Sequence, residues 1–387
     1  MDNKIVDTPN PTLVTLRDNK AKWNLPEYRR TGYRTLHKIN RYGLLLRSDH
    51  VLLLDKNNKD EIDEMNSVKE MINHKSFCSL IVGRGQEIFY EKYAKDFSDE
   101  TPHTIMSISK MFLNLFVGEL VEKNELQLDK PISYYLPNIG DGYSKATVQN
   151  ALNMNIINAF TEDYTDSYST SFMHETVGGW RIPNEGEDEM YQEDFLNSIR
   201  TDGSNSVINN SDNAFYKSAN SDVIALLIEK LSGRKLREWL LSSVEAMGLE
   251  DGLYMATDRG GMPWLSGGGC LIARDLLRMG LLFSRRGVGI RNRAAGSGKF
   301  IDDTVSEKGP KYMHLKDEKY VYYANQTMKS NNWIGHSGYG GQFLMINLET
   351  NVVASFFSVL ETESATDEDY KAKMILMLEE VSSKKYS

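Results

Sequence analysis

Three serine–lysine pairs in the chain have the Ser-x-x-Lys spacing that can activate a nucleophile. They are Ser107–Lys110, Ser232–Lys235 and Ser382–Lys385. A serine hydroxyl is a weak nucleophile at neutral pH and needs a base within hydrogen-bond reach. Residues i and i+3 of a helix share one face, so such a lysine can reach the hydroxyl, and it acts as a base where burial lowers the pKa of its amine.

One of these pairs precedes a segment that can bury its lysine. After Ser107–Lys110, apolar residues from Phe112 to Val121 recur at spacings of three and four, which predicts a helix with one buried face. Ser382 lies in the polar C-terminal segment, and Ser232 stands beside Gly233, which ends a predicted helix. We therefore interpret Ser107 as the nucleophile and Lys110 as its base. A plain N-cap serine is the alternative that the local sequence leaves open.

The nucleophile elbow of α/β-hydrolases is a second possible arrangement, but the sequence argues against it. Gly335-His336-Ser337-Gly338-Tyr339 has a tyrosine where the Gly-x-Ser-x-Gly turn requires its last glycine. The sequence therefore does not indicate an α/β-hydrolase fold.

Strand patterns stand early and late in the chain, with helical patterns between them. Residues 78–93 alternate around a Gly-Arg-Gly turn, and Gln342–Leu360 forms two apolar runs around a polar turn, so both segments predict hairpins. Ser221–Gly233 and Lys235–Gly248 predict helices that end at glycine. A last amphipathic helix is predicted from about Asp367, capped by Thr366.

This order predicts an α+β fold, with one antiparallel sheet flanked by helices and a mainly helical domain inserted in it. The predicted division is an N-terminal extension over 1–75, a sheet domain over 76–105 and 265–387, and a helical domain over 106–264. Clefts between such units are common places for a site.

Composition narrows the classes of function. The net charge is −9, and lysine and arginine do not collect on one stripe, so nucleic-acid binding is not expected. No apolar run approaches the roughly 20 residues that span a bilayer, and the N-terminus shows no secretory signal, so we expect a cytoplasmic protein without a membrane partner. Two cysteines without a Cys-x-x-Cys motif offer neither a disulfide framework nor that kind of metal site.

Three motifs, taken in order, resemble the serine β-lactamase and penicillin-binding-protein superfamily, in its class C-like branch. They are Ser107-Ile108-Ser109-Lys110, Tyr216-Lys217-Ser218 and His336-Ser337-Gly338, and the resemblance covers roughly residues 76–385. Within the superfamily, Glu162–Ser167 and Gly178–Trp180 are most similar to the 6-aminohexanoate-dimer hydrolases and related carboxylesterases. The resemblance implies the fold predicted above and an acyl-enzyme mechanism.

The resemblance also implies a role for each motif residue. Ser107 attacks the carbonyl carbon, while Lys110 and Tyr216 share the proton transfers. The backbone N–H groups of Ser107 and Tyr339 form an oxyanion hole. The residues that the resemblance places at the substrate are Tyr164, Ser218, His336 and Gly338. Neither a metal nor an organic cofactor is implied.

Two departures from the superfamily pattern bear on the substrate. Ser218 stands where class C β-lactamases have asparagine, and His336 stands where they have lysine. We therefore expect weak β-lactam hydrolysis. The acidic stretch Asn184–Asp194 suggests a second hypothesis, in which Glu187, Asp188 and Glu189 attract a cationic substrate. A solvated surface loop is the simpler interpretation of that stretch.

The sequence predicts a hydrolase that cleaves an ester or a small amide. The expected partner is therefore a small-molecule substrate and not a nucleic acid or a membrane. Two other functions stay open. The same nucleophile could serve an acyltransferase, or the fold could persist as a non-catalytic ligand-binding module. A homodimer is a further possibility that the sequence leaves undecided.

Overall fold

The structure is a computed structural model that describes residues 22–164, 166, 168–183, 186 and 188–386. In chain order its strands are β1 (Gly43–Leu46), β2 (Asp55–Lys56), β3 (Phe77–Arg84), β4 (Glu87–Tyr93), β5 (His103–Thr104), β6 (Leu253–Ala256), β7 (Gly269–Leu271), β8 (Lys311–Lys316), β9 (Lys319–Ala324), β10 (Thr327–Ser330), β11 (Trp333–Gly338), β12 (Gln342–Asn347) and β13 (Val353–Ser358).

The α-helices of the described residues are α1 (Pro26–Ile39), α2 (Asp60–Asp63), α3 (Asn66–Ile72), α4 (Met111–Glu122), α5 (Ile132–Tyr135), α6 (Asp141–Ser144), α7 (Val148–Leu152), α8 (Thr170–Val177), α9 (Gln192–Ser198), α10 (Ser218–Ser232), α11 (Leu236–Met247), α12 (Ala273–Ser284), α13 (Gly298–Ser306) and α14 (Glu368–Ser383). Two 3₁₀ turns span Met106–Lys110 and Ile290–Asn292.

The larger sheet unites the two ends of the chain. Its strand order is β2-β4-β3-β13-β12-β11-β10-β9-β8, so the early hairpin lies beside the late one. The joining pair is β3 with β13, in which Val82 faces Ala354. All neighbours are antiparallel except β2 and β4. The predicted antiparallel sheet and the two predicted hairpins are confirmed.

Each face of this sheet is covered by helices because apolar side chains alternate along its strands. On β12, Leu344 and Ile346 belong to one buried apolar cluster, while Phe343 and Met345 belong to the other. Helix α12 covers the first face, where a Cβ on its Gly280 would lie 2.3 Å from Val353. Helix α14 covers the second face.

The C-terminal helix begins one residue later than the sequence predicts. Its N-cap is Asp367, whose side chain accepts a hydrogen bond from the backbone N–H of Tyr370 at 3.0 Å. Thr366 does not cap the helix, so that prediction is wrong. A carboxylate is favoured at this position because it also meets the positive end of the helix dipole.

The segment between the hairpins is mainly helical and packs around α10. Residues 218–228 of this helix are all buried, and α4, α7 and α9 contact it. The helix ends at Gly233, which has φ +65°, a conformation that glycine adopts without steric cost.

A smaller sheet with the order β1-β6-β7-β5 lies beside the helices. Strand β5 leads directly into the turn that carries Ser107. Strand β1 comes from the first 75 residues and pairs with β6, with Leu44 facing Met255. The division into extension, sheet domain and helical domain stays a prediction. The described part of the first segment nevertheless pairs and packs with both later parts.

Candidate active site

Ser107 lies in the 3₁₀ turn Met106–Lys110, between β5 and α4. The preceding residue, Met106, has φ +47°, a left-handed conformation that residues with a side chain rarely adopt. Strain of this kind persists only where the surrounding structure imposes it, and it is concentrated at functional sites. The turn leaves Ser107 half-buried on the wall of two cavities, so a substrate can reach its hydroxyl.

Lys110 is fully buried beside this hydroxyl. Its Nζ lies 2.9 Å from Ser107 Oγ and 3.2 Å from Ser218 Oγ, and it donates a further hydrogen bond to the carbonyl oxygen of Ser266. Burial lowers the pKa of the Lys110 amine to about 8, while the charges of Glu162 and Asp222 raise it. A lysine with this pKa is partly neutral near pH 7, as a general base must be.

The structure separates Ser107–Lys110 from the other two Ser-x-x-Lys pairs. Lys235 is exposed and forms an ion pair with Glu229, and the hydroxyl of Ser232 donates to the Ile228 carbonyl at 2.7 Å. Lys385 is exposed as well. Neither of these lysines is held against its serine.

Tyr216 lies on the other side of Lys110, whose Nζ is 5.1 Å from the centre of the tyrosine ring. Loss of solvation raises the pKa of Tyr216 well above its usual 10, and a hydrogen bond with Ser107 works in the opposite direction. Tyr216 is therefore a neutral phenol at physiological pH. The structure brings together Ser107, Lys110 and Tyr216, the three residues to which the resemblance assigns the catalytic steps.

Ser218 links the lysine to a carboxylate that the sequence analysis did not single out. Its Oγ accepts the hydrogen bond from Lys110 and donates to Glu162 Oε2 at 3.4 Å, and its backbone N–H donates to Glu162 Oε1. The hydroxyl of Tyr164 also donates to Glu162. Glu162 therefore joins the two tyrosine-bearing segments of the site.

The end of β11 lies against the turn that carries Ser107. A Cβ on Gly338 would lie 2.7 Å from the Ile105 carbonyl oxygen, so only glycine permits this approach. The next residue, Tyr339, lines both cavities together with Ser107. Among the described residues, the backbone N–H groups of Ser107 and Tyr339 have no hydrogen-bond partner. Both are free to bind an oxyanion.

His336 lies behind the site rather than in it. It is fully buried, and it lines neither cavity. Its Nδ1 is 2.7 Å from the Ser337 carbonyl oxygen, and its Nε2 is 3.0 Å from the Tyr323 hydroxyl. Burial lowers the pKa of His336 to about 3, so the ring is neutral, donates at Nδ1 and accepts at Nε2. The structure therefore does not bring this predicted substrate-binding residue to the cavities, whereas it places Tyr164 and Gly338 there.

The first cavity opens on the Tyr216 side of Ser107 and encloses about 740 Å³, including its open mouth. Its wall combines the end of β11 and the glycines after it with Tyr312 and the first two turns of α14. Gly340 and Gly341 in this wall have φ +91° and +110°, so the turn after Tyr339 needs glycine.

The second cavity lies on the other side of Tyr164 and Tyr339, whose ring centres are 5.3 Å apart. It encloses about 440 Å³ and is lined by Trp23, Trp180 and Trp264. Its polar wall includes Glu175, which forms an ion pair with Arg181, and Ser266. The buried Ser266 hydroxyl has no hydrogen-bond partner among the described residues and is available to a ligand.

Many residues of the two cavities and their hydrogen bonds were not predicted from the sequence, among them Glu162, Glu175, Ser266 and Trp23. Glu162 lies in the segment Glu162–Ser167, whose similarity to the 6-aminohexanoate-dimer hydrolases could have indicated a residue near the substrate. The sequence offered no such indication for Trp23, because this residue reaches the cavity from the first 75 residues, which lie outside the resemblance.

The acidic stretch is only partly described. Asn184, Glu185 and Glu187 lie outside the described residues. Glu189 is 2.5 Å from Arg41 in an ion pair and 3.1 Å from the Tyr42 hydroxyl, and neither Asp188 nor Glu189 lines either of the two cavities beside Ser107. The attraction of a cationic substrate by this stretch stays a prediction.

The described residues offer neither a cluster of metal ligands nor a membrane-spanning helix. No group of three or more histidine, cysteine, aspartate or glutamate side chains is placed to hold a metal ion. In the same part of the chain, no helix is both long enough and apolar enough to cross a membrane.

A family model described as Beta-lactamase matches residues 78–375, which is most of the chain. The chain therefore belongs to this family, and the predicted superfamily and α+β fold are confirmed. Neighbouring structures include penicillin-binding-protein homologues, amidohydrolases and carboxylesterases.

Individual relatives show how far the similarity extends. A 6-aminohexanoate-dimer hydrolase from Paenarthrobacter ureafaciens is 30% identical over 222 residues, which are 57% of this chain and 55% of the relative. The chain thus matches little more than half the length of this curated relative.

Two solved structures share the fold over most of the chain. A Bacillus anthracis protein, provisionally named a 6-aminohexanoate-dimer hydrolase, superposes with a TM-score of 0.79 at 19% identity and covers 97% of this chain and 98% of its own. A penicillin-binding-protein homologue from Caulobacter crescentus has a TM-score of 0.59 at 13% identity and covers 83% and 98%.

Proposed function

We propose that this chain is a serine hydrolase that cleaves an ester or a small amide through an acyl-enzyme on Ser107. The observation that carries the proposal is the 2.9 Å contact between Ser107 Oγ and the buried amine of Lys110. Membership of the Beta-lactamase family supports it. The similarity to a 6-aminohexanoate-dimer hydrolase supports the amide as one substrate type.

In the acylation step, Ser107 Oγ attacks the carbonyl carbon while its proton moves to Lys110. With a pKa of about 8, roughly a tenth of the lysine is neutral at pH 7 and able to accept that proton. The N–H groups of Ser107 and Tyr339 hold the oxyanion of the tetrahedral intermediate, where each such donor contributes roughly 3–4 kcal/mol.

The leaving group departs when its nitrogen or oxygen takes a proton, which Tyr216 is placed to deliver. Tyr216 lines the first cavity and not the second. The leaving group therefore occupies the first cavity, and the acyl group occupies the second, between the tryptophan rings. Water then attacks the acyl-enzyme by the same proton transfers in reverse.

The neutral His336 supports the expectation of weak β-lactam hydrolysis. The superfamily's lysine at this position would bring a positive charge to the strand beside the nucleophile. The histidine is uncharged and bonded to Tyr323, so it offers no cation to a β-lactam carboxylate.

Covalent labelling tests the nucleophile directly. A fluorophosphonate probe is added to wild type, Ser107→Ala and Ser232→Ala, and intact mass is measured. We expect one adduct on wild type and on Ser232→Ala, the matched control from a second Ser-x-x-Lys pair, and none on Ser107→Ala. Labelling of Ser107→Ala would refute the assignment.

A substrate comparison then distinguishes the possible functions. p-Nitrophenyl esters, nitrocefin and the 6-aminohexanoate dimer are assayed side by side, with and without added alcohols. Free acid as the product supports a hydrolase, whereas a transferred acyl group indicates an acyltransferase. The absence of both turnover and labelling would favour a ligand-binding module.

A further inference from the structure

The Lys110 amine has three hydrogen-bond partners among the described residues, and each constrains one direction around its nitrogen. They are Ser107 Oγ, Ser218 Oγ and the carbonyl oxygen of Ser266. A carbonyl oxygen can only accept, and the Ser218 hydroxyl also accepts because it donates its own proton to Glu162. A neutral amine has two N–H groups and one electron pair. With the other two partners in place, the electron pair is therefore directed at the Ser107 hydroxyl.

Asp222 anchors the residue that supplies the carbonyl acceptor. Its side chain is fully buried on α10, one turn after Ser218 and on the same helix face. Its Oδ1 accepts a hydrogen bond from the Ser266 N–H at 3.1 Å. Ser266 is thus held at its N–H by a buried carboxylate, while its C=O accepts from the Lys110 amine.

The turn that contains Ser266 has a second anchor, which comes from α8. The indole N–H of Trp264, two residues before Ser266, donates to His174 Nε2 at 3.0 Å. This nitrogen also lies 2.9 Å from Asp222 Oδ2. His174 is itself buried, and its ring stacks on that of Phe195 with the ring centres 5.0 Å apart. The turn is therefore held from two helices, which fixes the direction of the Ser266 carbonyl.

The charge of Asp222 acts on Lys110 as well. Asp222 and Glu162 are the two carboxylates whose charges raise the pKa of the Lys110 amine, against the effect of burial. The ammonium that forms when Lys110 takes a proton is therefore stabilised by Asp222. The titratable groups that face Lys110 or Asp222 from the surrounding elements include Glu162, Tyr216, His336, Tyr143 and His174.

We infer that Asp222 is a positioning residue for the proposed general base: it fixes the Ser266 carbonyl as the acceptor of one Lys110 N–H. This contact directs the electron pair of the neutral amine at the Ser107 proton. The inference rests on the proposed function, in which Lys110 is that base. In acylation the Ser107 O–H bond breaks, its proton forms a third N–H bond on Lys110, and the oxygen forms the bond to the carbonyl carbon. Asp222 neither gains nor loses a proton.

Two variants separate the hydrogen bond of Asp222 from its charge. Asp222→Asn keeps an acceptor for the Ser266 N–H and removes the charge, whereas Asp222→Ala removes both. The rate of fluorophosphonate labelling is measured between pH 5 and 9, and its plateau at high pH reports how well the neutral lysine is oriented. We expect Asp222→Asn to move the inflection to lower pH and to keep a plateau close to that of wild type. Asp222→Ala should also lower the plateau about 10-fold to 100-fold, the effect of a reacting group displaced by about 1 Å.

Asp275→Asn is the matched control for the loss of a buried carboxylate. Asp275 is fully buried on α12 and accepts from the backbone N–H groups of Glu250 and Asp251 at 2.8 and 2.9 Å, but it lines neither cavity. Its replacement should lower the free energy of unfolding and leave both the inflection and the plateau unchanged. A merely structural role for Asp222 would give this same result.

Lys110→Met in the same series separates this inference from the proposed function. Labelling of Lys110→Met at the wild-type rate would refute Lys110 as the base. If labelling depends on Lys110, three results would overturn the inference alone: an unmoved inflection in Asp222→Asn, a wild-type plateau in Asp222→Ala, or a plateau that falls equally in both variants. Asp222→Asn retains the contacts of the buried side chain, so its inflection decides the question even if Asp222→Ala does not fold.

Discussion

The ring of Tyr33 packs directly on Gly340, where a Cβ would lie 2.5 Å from the tyrosine hydroxyl. Tyr33 belongs to α1 and is fully buried, and Gly340 follows Tyr339, the residue whose N–H is proposed to bind the oxyanion. The N-terminal helix therefore supports the turn that completes the proposed oxyanion hole. This contact crosses more than 300 residues of sequence.

Gly340→Ala should lower catalytic activity strongly, whereas a glycine-to-alanine change at a position of similar φ away from the site should not. The alanine would have to adopt φ +91° and displace the Tyr33 ring, and either change moves the N–H of Tyr339. We expect kcat with a p-nitrophenyl ester to fall about 10-fold to 100-fold, because a misplaced oxyanion donor loses part of the roughly 100-fold to 1,000-fold effect of a removed one. Gly233→Ala is the matched control, because Gly233 has φ +65° with no atom within 4 Å of its added Cβ. It should destabilise the protein by about 1 kcal/mol and keep its activity.

The acylation rate should rise with pH and level off near the pKa of Lys110. Because the neutral amine is the base, the rate of fluorophosphonate labelling should increase about tenfold per pH unit below pH 8 and reach a plateau above the lysine's pKa of about 8. Tyr216 stays protonated over this range, so no second inflection is expected. A labelling rate independent of pH between 6 and 9 would contradict the role of Lys110.

Lys110→Met should remove activity without lowering stability at pH 7. Burial lowers the pKa of Lys110 from 10.5 to about 8, so the charged form is disfavoured in the folded state. Burial of the charged lysine therefore lowers the free energy of unfolding, and this destabilisation is fully present below pH 8. It is relieved between about pH 8 and 10.5, because the unfolded chain binds more protons than the folded one in that range. We expect a loss of turnover of at least about 1,000-fold, with an unfolding midpoint equal to or above that of wild type at pH 7.

Glu162→Gln should move the pH dependence of the fluorophosphonate labelling rate to lower pH. The charge of Glu162 raises the pKa of Lys110, so its removal lets burial lower that pKa further. The amide oxygen of glutamine can still accept the hydrogen bond from the Ser218 N–H. Labelling rates between pH 5 and 9 measure the shift. Glu119→Gln, a change on α4 at a residue paired with Lys123, should leave the inflection in place.

Arg29→Met should destabilise the fold by about 2–4 kcal/mol, because buried carbonyl groups lose their donor. The guanidinium donates to Leu360 O at 2.7 Å and to Thr362 O at 2.6 Å, and it also holds the carbonyl of Asn24. Arg34→Met on the same helix removes an ion pair with Asp96, whose carboxylate is about half exposed, and should cost less than the change at Arg29. Urea denaturation measures the free energy of unfolding of both variants. Equal decreases in that free energy would show that Arg29 does not anchor the segment after β13 that contains Leu360 and Thr362.

The sequence was sufficient for those features of the fold and site that depend on local pattern. The two hairpins follow from alternation around turn residues, and α10 ends where the sequence has Gly233. The proposed nucleophile and base, Ser107 and Lys110, also have a local signal, because their spacing and the apolar helix after them are contiguous in the sequence. Tyr216, Ser218 and Gly338 required the resemblance, since nothing local distinguishes them from core residues.

Only the tertiary structure decided which charged and aromatic groups meet at Ser107. Glu162, Ser266 and Trp23 reach the site from distant segments, so their contacts depend on packing and not on spacing. The same holds for His336, which lies next to a site residue in sequence yet turns into the core behind it. Sequence by itself predicted Ser107 as the nucleophile, Lys110 as its base and the antiparallel sheet that joins the two ends of the chain. Packing determined the pKa of Lys110 and the walls of both cavities, because desolvation and cavity shape arise only when distant segments fold together.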